Sequence, residues 1–108
     1  MRAGTLRHRC TLQRAEETRL PGGGRSTAWT AIGELWAEIG VLSGRFVAVA
    51  EKIDAEVSAE ILVRNRPDIA AGMRLVHKST GETYLIKAPL RDNRREMLRL
   101  LCSNVINP

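Results

Sequence analysis

The sequence predicts a mainly β fold: a small antiparallel β-barrel of about six strands, with one short α-helix between strands 2 and 3. Three observations lead to this prediction. Short segments with an apolar residue at every second position recur along the chain, which is the period of a strand with one buried face. Clusters of Gly, Pro and Ser separate these segments. At one place the apolar spacing lengthens to three or four residues, which is the period of a helix. A chain of 108 residues is expected to form a single domain over residues 1–108.

The first three predicted strands each place four inward-facing residues at alternate positions. They are Leu6, His8, Cys10 and Leu12 in the first strand, Leu35, Ala37, Ile39 and Val41 in the second, and Val57, Ala59, Ile61 and Val63 in the third. Pro67 is expected to end the third strand, because proline has no N–H to donate to a ladder.

Three further strands are predicted after residue 68, at residues 74–78, 82–88 and 96–103. A hairpin turn joins the first two of these, and its Gly81 can adopt a positive φ. Ile69, in a tight turn before them, is expected to point into the core. A charged connection, residues 89–95, precedes the last strand, whose buried side carries Leu98, Leu100 and Cys102. Six such strands build a small antiparallel barrel or sandwich, and we expect a barrel.

The helix belongs to an insertion at residues 42–56, between the second and third strands. Ser43 is a candidate N-cap, since its hydroxyl can accept a hydrogen bond from a free backbone N–H. The apolar residues spaced along one face of this helix are Phe46, Val49, Ala50, Ile53 and Val57. Away from that face are four charged residues, which we expect to meet a neighbouring subunit or a channel: Arg45, Glu51, Lys52 and Asp54.

Residues 15–28 show no periodicity, and we expect a mobile loop there that becomes ordered on a neighbour. Three consecutive glycines have much backbone entropy to lose, and loops of this length tend to be functional. The candidate assembly residues in the loop are Pro21, Gly22, Gly23, Gly24 and Arg25. A phosphate-binding loop is not favoured, because no Gly-Lys-Ser/Thr follows the glycines. Trp29 is expected to anchor the end of the loop in the core.

The charge of the chain, +5 in total, is distributed in three blocks. Residues 1–31 carry +4, residues 32–63 carry −4 and residues 64–108 carry +5. Basic ends around an acidic middle suit a protein that packs against copies of itself. Solvated faces that neutralise one another within one chain explain the same pattern, and both interpretations stay open.

Nothing in the sequence predicts a membrane segment or an export signal, so we expect the chain in the cytoplasm of the cell that makes it. The apolar runs fall short of the 18 or so residues that a spanning helix needs, and the N-terminus lacks the apolar region of a signal peptide. In a reducing compartment Cys10 and Cys102 are expected to be buried free thiols.

The sequence predicts no catalytic, cofactor or metal site, and therefore no enzyme. His8, Cys10, His77 and Cys102 could in principle supply four metal ligands, but their spacing matches no zinc module. Serine and cysteine nucleophiles need a nearby base, and the candidates are dispersed along the chain. A metal-dependent enzyme is thus the weakest of three alternatives.

A small basic nucleic-acid-binding barrel, similar to an oligonucleotide-binding fold, is the main alternative. That function requires exposed aromatic side chains among basic ones, and only Trp36 and Tyr84 are available for stacking. The basic cluster in residues 91–95 could touch phosphate, although a solvated turn explains it as well.

Sequence motifs in order along the chain resemble one family. They are Met1-Arg2-Ala3-Gly4 and the run from Leu6 to Arg14, then Gly22-Gly23, Trp29, Leu35-Trp36-Ala37-Glu38-Ile39 and Ser43-Gly44-Arg45, then Ile61, Val63-Arg64-Asn65-Arg66, Asp68-Ile69, Met73-Arg74, Tyr84, Ile86, Leu98, Leu100 and Cys102. Each motif alone is weak, but the ordered set resembles the phage head–tail joining proteins of long-tailed phages, which are also called head-closure, stopper or adaptor proteins.

The resemblance implies a structural subunit of a virion, either of a free phage or of a prophage, assembled in the cytoplasm of the bacterial host. Proteins of this kind are small β-barrels that form a ring, usually of twelve subunits, between a portal-side adaptor and the tail. Expected partners are therefore copies of the chain itself, the adaptor protein, a tail or tail-terminator protein, and packaged DNA in transient non-specific contact. In the stopper branch the segment between strands 2 and 3 lines or plugs the DNA channel. Here that segment departs from a flexible plug, because its apolar spacing favours an ordered helix.

Overall fold

In the computed structural model, which describes residues 6–42, 44–53, 56–91 and 96–105, the chain forms six strands and a helix between the second and third. The elements are β1 (His8–Arg19), β2 (Arg25–Val41), α1 (Gly44–Ile53), β3 (Ala59–Arg64), β4 (Arg74–His77), β5 (Thr83–Arg91) and β6 (Met97–Val105). The predicted fold class, mainly β with one short helix in that position, is confirmed.

The six strands close into a barrel in the order β1-β2-β3-β6-β5-β4. Every neighbouring pair is antiparallel. Closure satisfies the strand edges of the barrel within one chain, which removes the unpaired edges at which sheets aggregate.

The interior of the barrel holds the residues that the alternating pattern assigned to the buried face. Those fully excluded from solvent include Cys10, Leu12, Ala37, Ile61, Val63, Leu98, Leu100 and Cys102. Ile69 is 2% exposed, as its turn position predicted. The alternation fails at the end of β2, where Val41 is 87% exposed. At that point β2 has run past the body of the barrel and has only its pairing with Ala59 of β3.

A second, smaller apolar cluster lies on the outer surface of the barrel. It joins Ala50 of α1 to Leu101, which alternates with the inward-facing Leu100 and therefore points out of β6. Val57 was expected to face inward from the third strand, but it precedes β3 and is part of this outer cluster. The partly buried side chains packed around the cluster are Leu42, Phe46, Ala88 and Leu90. The helix thus covers the outside of the barrel over β5 and β6.

Strand β5 is longer than its sequence pattern indicated. We expected a charged connection from Pro89 onward, but the strand continues to Arg91. The register shifts between Ile86 and Ala88, which is a β-bulge. Pro89 lies two residues beyond the bulge residue Lys87 and is in register with Leu100 of β6. Residues 92–95, the rest of the expected basic cluster, lie outside the described residues.

The main difference from expectation is at residues 15–28, where the prediction of an irregular loop is wrong. Strands β1 and β2 continue as a paired hairpin through Arg19↔Arg25, and the connection between them is only residues 20–24. Strand β4 pairs with β1 only as far as Gln13, and β3 pairs with β2 only from Ala37 onward. Residues 14–31 therefore form a two-stranded ribbon beyond the barrel, which we call the arm. The molecule measures 50 × 29 × 27 Å.

Candidate interaction surfaces

The tip of the arm is a five-residue turn, residues 20–24, whose backbone conformation depends on glycine. Leu20 N–H donates to the Gly24 carbonyl at 2.7 Å, and Gly23 N–H donates to the Leu20 carbonyl at 3.2 Å. Gly22 and Gly23 have φ values of 96° and 97°, a region that side chains disfavour. The predicted assembly residues Pro21 to Arg25 are thus together at the far end of the arm, where all of them are exposed. Whether this tip is mobile stays a prediction.

The arm joins the barrel through a stacked contact between Trp29 and Arg74. The Arg74 guanidinium lies 4.2 Å from the centre of the Trp29 ring, and its Nε also donates to Gln13 of β1. Trp29 is only half-buried and is not in the core cluster, so its expected role as a core anchor is wrong. A ring on a two-stranded ribbon has no second sheet to pack against, and the arginine from β4 covers one of its faces instead.

Charged side chains of both signs cover the arm. Arg14 pairs with Glu16 at 3.1 Å, and Arg25 pairs across the hairpin with Glu17 at 3.5 Å. All four side chains are at least half exposed, and such pairs contribute roughly 0–1 kcal/mol each. These ion pairs therefore contribute little to the stability of the arm.

Two contacts hold the helix on the barrel: the small apolar cluster around Leu101 and the guanidinium of Arg99. Leu101 is fully buried beneath Ala50, which is 2% exposed. The Arg99 guanidinium lies 4.8 Å from the centre of the Phe46 ring and forms an ion pair with Glu60 of β3. This contact could not be predicted from the sequence, because Arg99 and Phe46 are distant in the chain and neither position has a distinctive pattern.

The exposed surface of α1 is more apolar than predicted. Val49 and Ile53, expected to hold the helix either to its own barrel or to an adjacent subunit, are 40% and 41% exposed, and Val47 is 38% exposed. A helix on a curved barrel surface contacts it along a narrow line, here through Phe46 and Ala50. Val49 and Ile53 flank that line and are only partly covered.

The charged residues predicted for the helix surface are located only in part. Glu51 and Lys52 are exposed. Arg45 lies in the first turn of α1, but its side chain is outside the described part of the structure, as is the whole of Asp54. Where these two side chains point stays a prediction.

An ion-paired cluster crosses β1, β2 and the turn after β4. Glu34 accepts hydrogen bonds from Lys78 at 3.0 Å and from Arg9 at 3.1 Å. Lys78 and then Arg9 lower the pKa of Glu34 from its usual value. Arg9 also lies 5.0 Å from the centre of the Trp36 ring, and that ring is half exposed. Glu34 is thus a surface ion-pair partner of both cations.

The four candidate metal ligands do not come together as a site. His8 Nδ1 lies 3.2 Å from His77 Nε2, and His77 Nδ1 lies 2.9 Å from Thr80 Oγ1. Cys10 and Cys102 are buried free thiols among the core residues. Within the described ranges, no three His, Cys, Asp or Glu side chains are grouped as a metal site would require.

The nucleic-acid alternative loses one of its two aromatic residues. Tyr84 is 5% exposed, and its hydroxyl donates to Glu82. Burial, followed by the contact with Glu82, raises the pKa of Tyr84. Its ring cannot stack on a base without leaving the core. Trp36 remains exposed, but a single aromatic does not make a stacking platform.

Comparisons with known proteins agree with this fold. Residues 1–105 match the model of the phage head completion protein family. The solution structure of a protein from Shigella flexneri 2a is 28% identical, with a TM-score of 0.78 and full coverage of both chains. A chain of a native gene transfer agent virion is 23% identical, with a TM-score of 0.58, covering 92% of this chain and 94% of that one. No curated protein matches the sequence.

The described part of the molecule thus consists of a closed barrel, an arm that extends beyond it and a helix that covers its outer surface. The chain belongs to the phage head completion protein family. The resemblance found in the sequence is thereby confirmed, and the chain is a structural protein of the phage head. Along the described residues, no helix has the length and apolar character needed to cross a bilayer.

Proposed function

We propose that this chain is a head–tail connector subunit of a virion. About twelve copies assemble into a ring that closes the DNA-filled head and offers a docking surface to the tail. One side of the ring meets the portal-side adaptor and the other meets a tail or tail-terminator protein. Packaged DNA passes through the centre and makes transient contacts that do not depend on its sequence.

The observation that carries this proposal is the arm, considered together with membership of the head completion family. The barrel closes on itself, while the arm extends beyond it with exposed residues on both of its faces. A two-stranded hairpin alone is at best marginally stable in water. An extension of this kind is therefore best explained as a contact element that acts on another protein.

The surface of α1 supplies the second contact in this proposal. It presents three half-exposed apolar residues, Val47, Val49 and Ile53, beside the exposed charges of Glu51 and Lys52. Interfaces of this composition combine a small apolar centre with a polar rim. The rim charges set the rate and register of association more than its strength. A native gene transfer agent virion contains a chain of similar fold, which supports a place for this chain in a virion particle.

The experiment is complementation of a phage that lacks this gene. The chain is supplied with Arg45→Glu, Glu51→Lys and Lys52→Glu together. We expect normal folding by circular dichroism, because Glu51 and Lys52 are exposed, and an accumulation of heads that leak or fail to join free tails. One reversal alone should have little effect, since an exposed pair contributes roughly 0–1 kcal/mol.

The matched control is Arg64→Glu, which changes the net charge by the same amount. Arg64 is exposed and lies at the opposite end of β3 from the helix. Normal virion yield is expected from this control. If the folded triple variant also gave a normal yield, the surface of α1 would have no part in joining.

A further inference from the structure

No strand of the described residues pairs with either backbone edge of the arm, and hydrogen bonds elsewhere in the hairpin establish which residues face these edges. Lys78 N–H donates to the Arg9 carbonyl at 2.9 Å, so the backbone groups of Arg9 point toward β4 and away from β2. The N–H and C=O of one residue point to the same side of a strand, and the side alternates along the strand. The backbone N–H and C=O groups of the odd-numbered residues of β1 therefore point away from β2.

The turn at the arm tip gives the same assignment independently. Leu20 N–H donates to the Gly24 carbonyl, so the backbone groups of the even-numbered Leu20 point toward the other strand of the hairpin. The outward-facing backbone groups of β1 beyond its last pair with β4 belong to Ala15, Glu17 and Arg19. Their cross-strand neighbours are Trp29, Thr27 and Arg25. Two residues that face each other in an antiparallel pair are either both hydrogen-bonded to each other or both not. The backbone N–H and C=O groups of Trp29, Thr27 and Arg25 therefore also point outward, away from β1.

Strands β1 and β2 run in opposite directions, and this determines how two arms can meet side by side. A copy rotated about an axis parallel to the arm keeps the directions of its strands. The β1 edge of one arm then lies antiparallel to the β2 edge of the next, as in a continuous antiparallel sheet. Such head-to-tail contacts use two different surfaces, and they close into a ring when the rotation allows it.

Charge is compatible with a second copy as the partner. In the arm, β1 carries Arg14, Glu16, Glu17 and Arg19, which have no net charge together, and β2 carries Arg25. A register that sets Glu17 of one arm opposite Arg25 of the next would repeat between copies the ion pair that already spans one hairpin. Charged edges of this kind also prevent pairing with unrelated strands, so they leave the complementary edge of another arm as the preferred partner.

We propose that the arms of neighbouring copies pair edge to edge by backbone hydrogen bonds, β1 of one copy with β2 of the next, to form one continuous sheet around the ring. This inference rests on the proposed ring and specifies the contact that holds its subunits together. Tilt of the arms would shift the register in steps of two residues. The same outward N–H groups would still be used.

Proline substitutions test the proposal whatever the register. Ala15→Pro and Thr27→Pro each remove one outward N–H and leave the hydrogen bonds inside the arm intact, since proline is tolerated where the N–H faces solvent. The matched controls are Ala15→Ser and Thr27→Val, which keep the N–H at the same positions. Each variant is supplied to a phage that lacks this gene, and its occupancy of the head vertex is counted by electron microscopy.

We expect the two control variants to form rings at the head vertex and the two proline variants to lose them. Rings formed equally well by the proline variants would overturn the edge pairing while leaving the connector function intact. Absence of the wild-type chain and of the controls from the head vertex would overturn the connector function itself.

Hydrogen exchange of the wild-type chain keeps the proposal testable even if a proline variant misfolds. Assembly into rings should slow amide exchange in a peptide spanning residues 13–31 relative to the monomer. In a peptide from the closed part of the barrel, such as residues 97–103, the exchange rate should stay unchanged. An arm peptide that exchanges equally fast in rings and monomers would contradict the pairing.

Discussion

At the scale of single residues, the two cysteines illustrate how the barrel interior controls chemistry. Burial raises the pKa of the Cys10 thiol to about 11. Burial and then the nearby Cys10 raise the pKa of Cys102 to about 12. Both thiols are therefore protonated in the folded protein near neutral pH, and the thiolate is the reactive form.

The first prediction concerns thiol reactivity. Titration of the unfolded, unreduced protein should count two free thiols, and at pH 8 the folded protein should react far more slowly. The physical reason is that each thiol is both buried and protonated. A count of zero in protein purified under reducing conditions would show that the cysteines are oxidised and would contradict the free-thiol assignment.

A second prediction follows from the same pKa shifts. Unfolding returns the thiols to an ordinary pKa of about 8.5, so above that value the unfolded state releases protons that the folded state keeps. The free energy of unfolding should therefore fall as the pH rises from about 8 to 9.5. The double variant Cys10→Ala, Cys102→Ala should show a weaker fall over this range in urea denaturation. An identical slope in both proteins would contradict the assigned cause.

Residues of the barrel interior were predictable from sequence for a simple reason. Leu98, Leu100 and Cys102 lie at alternate positions of β6 and point into the core. The side chains between them point out of the barrel, so burial produces a period of two in the sequence. Val41 shows the limit of this inference. Its position fits the alternation of inward-facing residues, but β2 has passed the end of the barrel there. Nothing in the local sequence indicates how far a sheet extends.

At the scale of elements, the packing of α1 against the barrel depends on one barrel side chain, Leu101. Leu101→Ala should destabilise the protein by about 2–5 kcal/mol, the usual range for a fully buried leucine, and should loosen the helix. The matched control is Leu20→Ala at the arm tip, where the leucine is 44% exposed and the loss should stay within about 0.5 kcal/mol. Urea denaturation measures both, and equal losses would place α1 elsewhere.

The arm gives the second prediction at this scale. In the isolated chain, trypsin should cut first at Arg19 or Arg25, since these residues flank the exposed tip and, within the described ranges, the two strands of the arm pair only with each other. In assembled rings both sites should be protected. Mass spectrometry of early fragments identifies the cut, and initial cleavage at Arg99 of the closed barrel would contradict the assignment.

The arm and the helix surface were the parts that sequence could not predict. Arm residues such as Glu16 and Thr27 are exposed on both faces of the ribbon, so burial produces no alternation there, and the glycines of the tip suggested a loop instead. The helix pattern correctly placed four apolar positions, Phe46, Val49, Ala50 and Ile53, in a helix, whereas Val57 follows the end of α1. It could not show that a curved barrel surface would cover Ala50 and leave Val49 and Ile53 half exposed.

At the scale of the whole molecule, the account predicts weak DNA binding. The isolated subunit should bind duplex DNA weakly and without sequence preference, because a connector must let DNA slide through it. Binding titrations at several salt concentrations measure this, since the slope of affinity against salt counts neutralised phosphates. Tight binding with a steep slope would favour the nucleic-acid-binding barrel instead.

The central claim is that copies of this chain form a ring between head and tail, and cryo-electron microscopy of the virion that it helps to build tests this most directly. We expect a closed ring of about twelve barrels between the portal side and the tail, with the arms of neighbouring copies in contact and DNA on the axis. Density for the chain in the capsid lattice or at the distal end of the tail, or as isolated copies, would contradict the account.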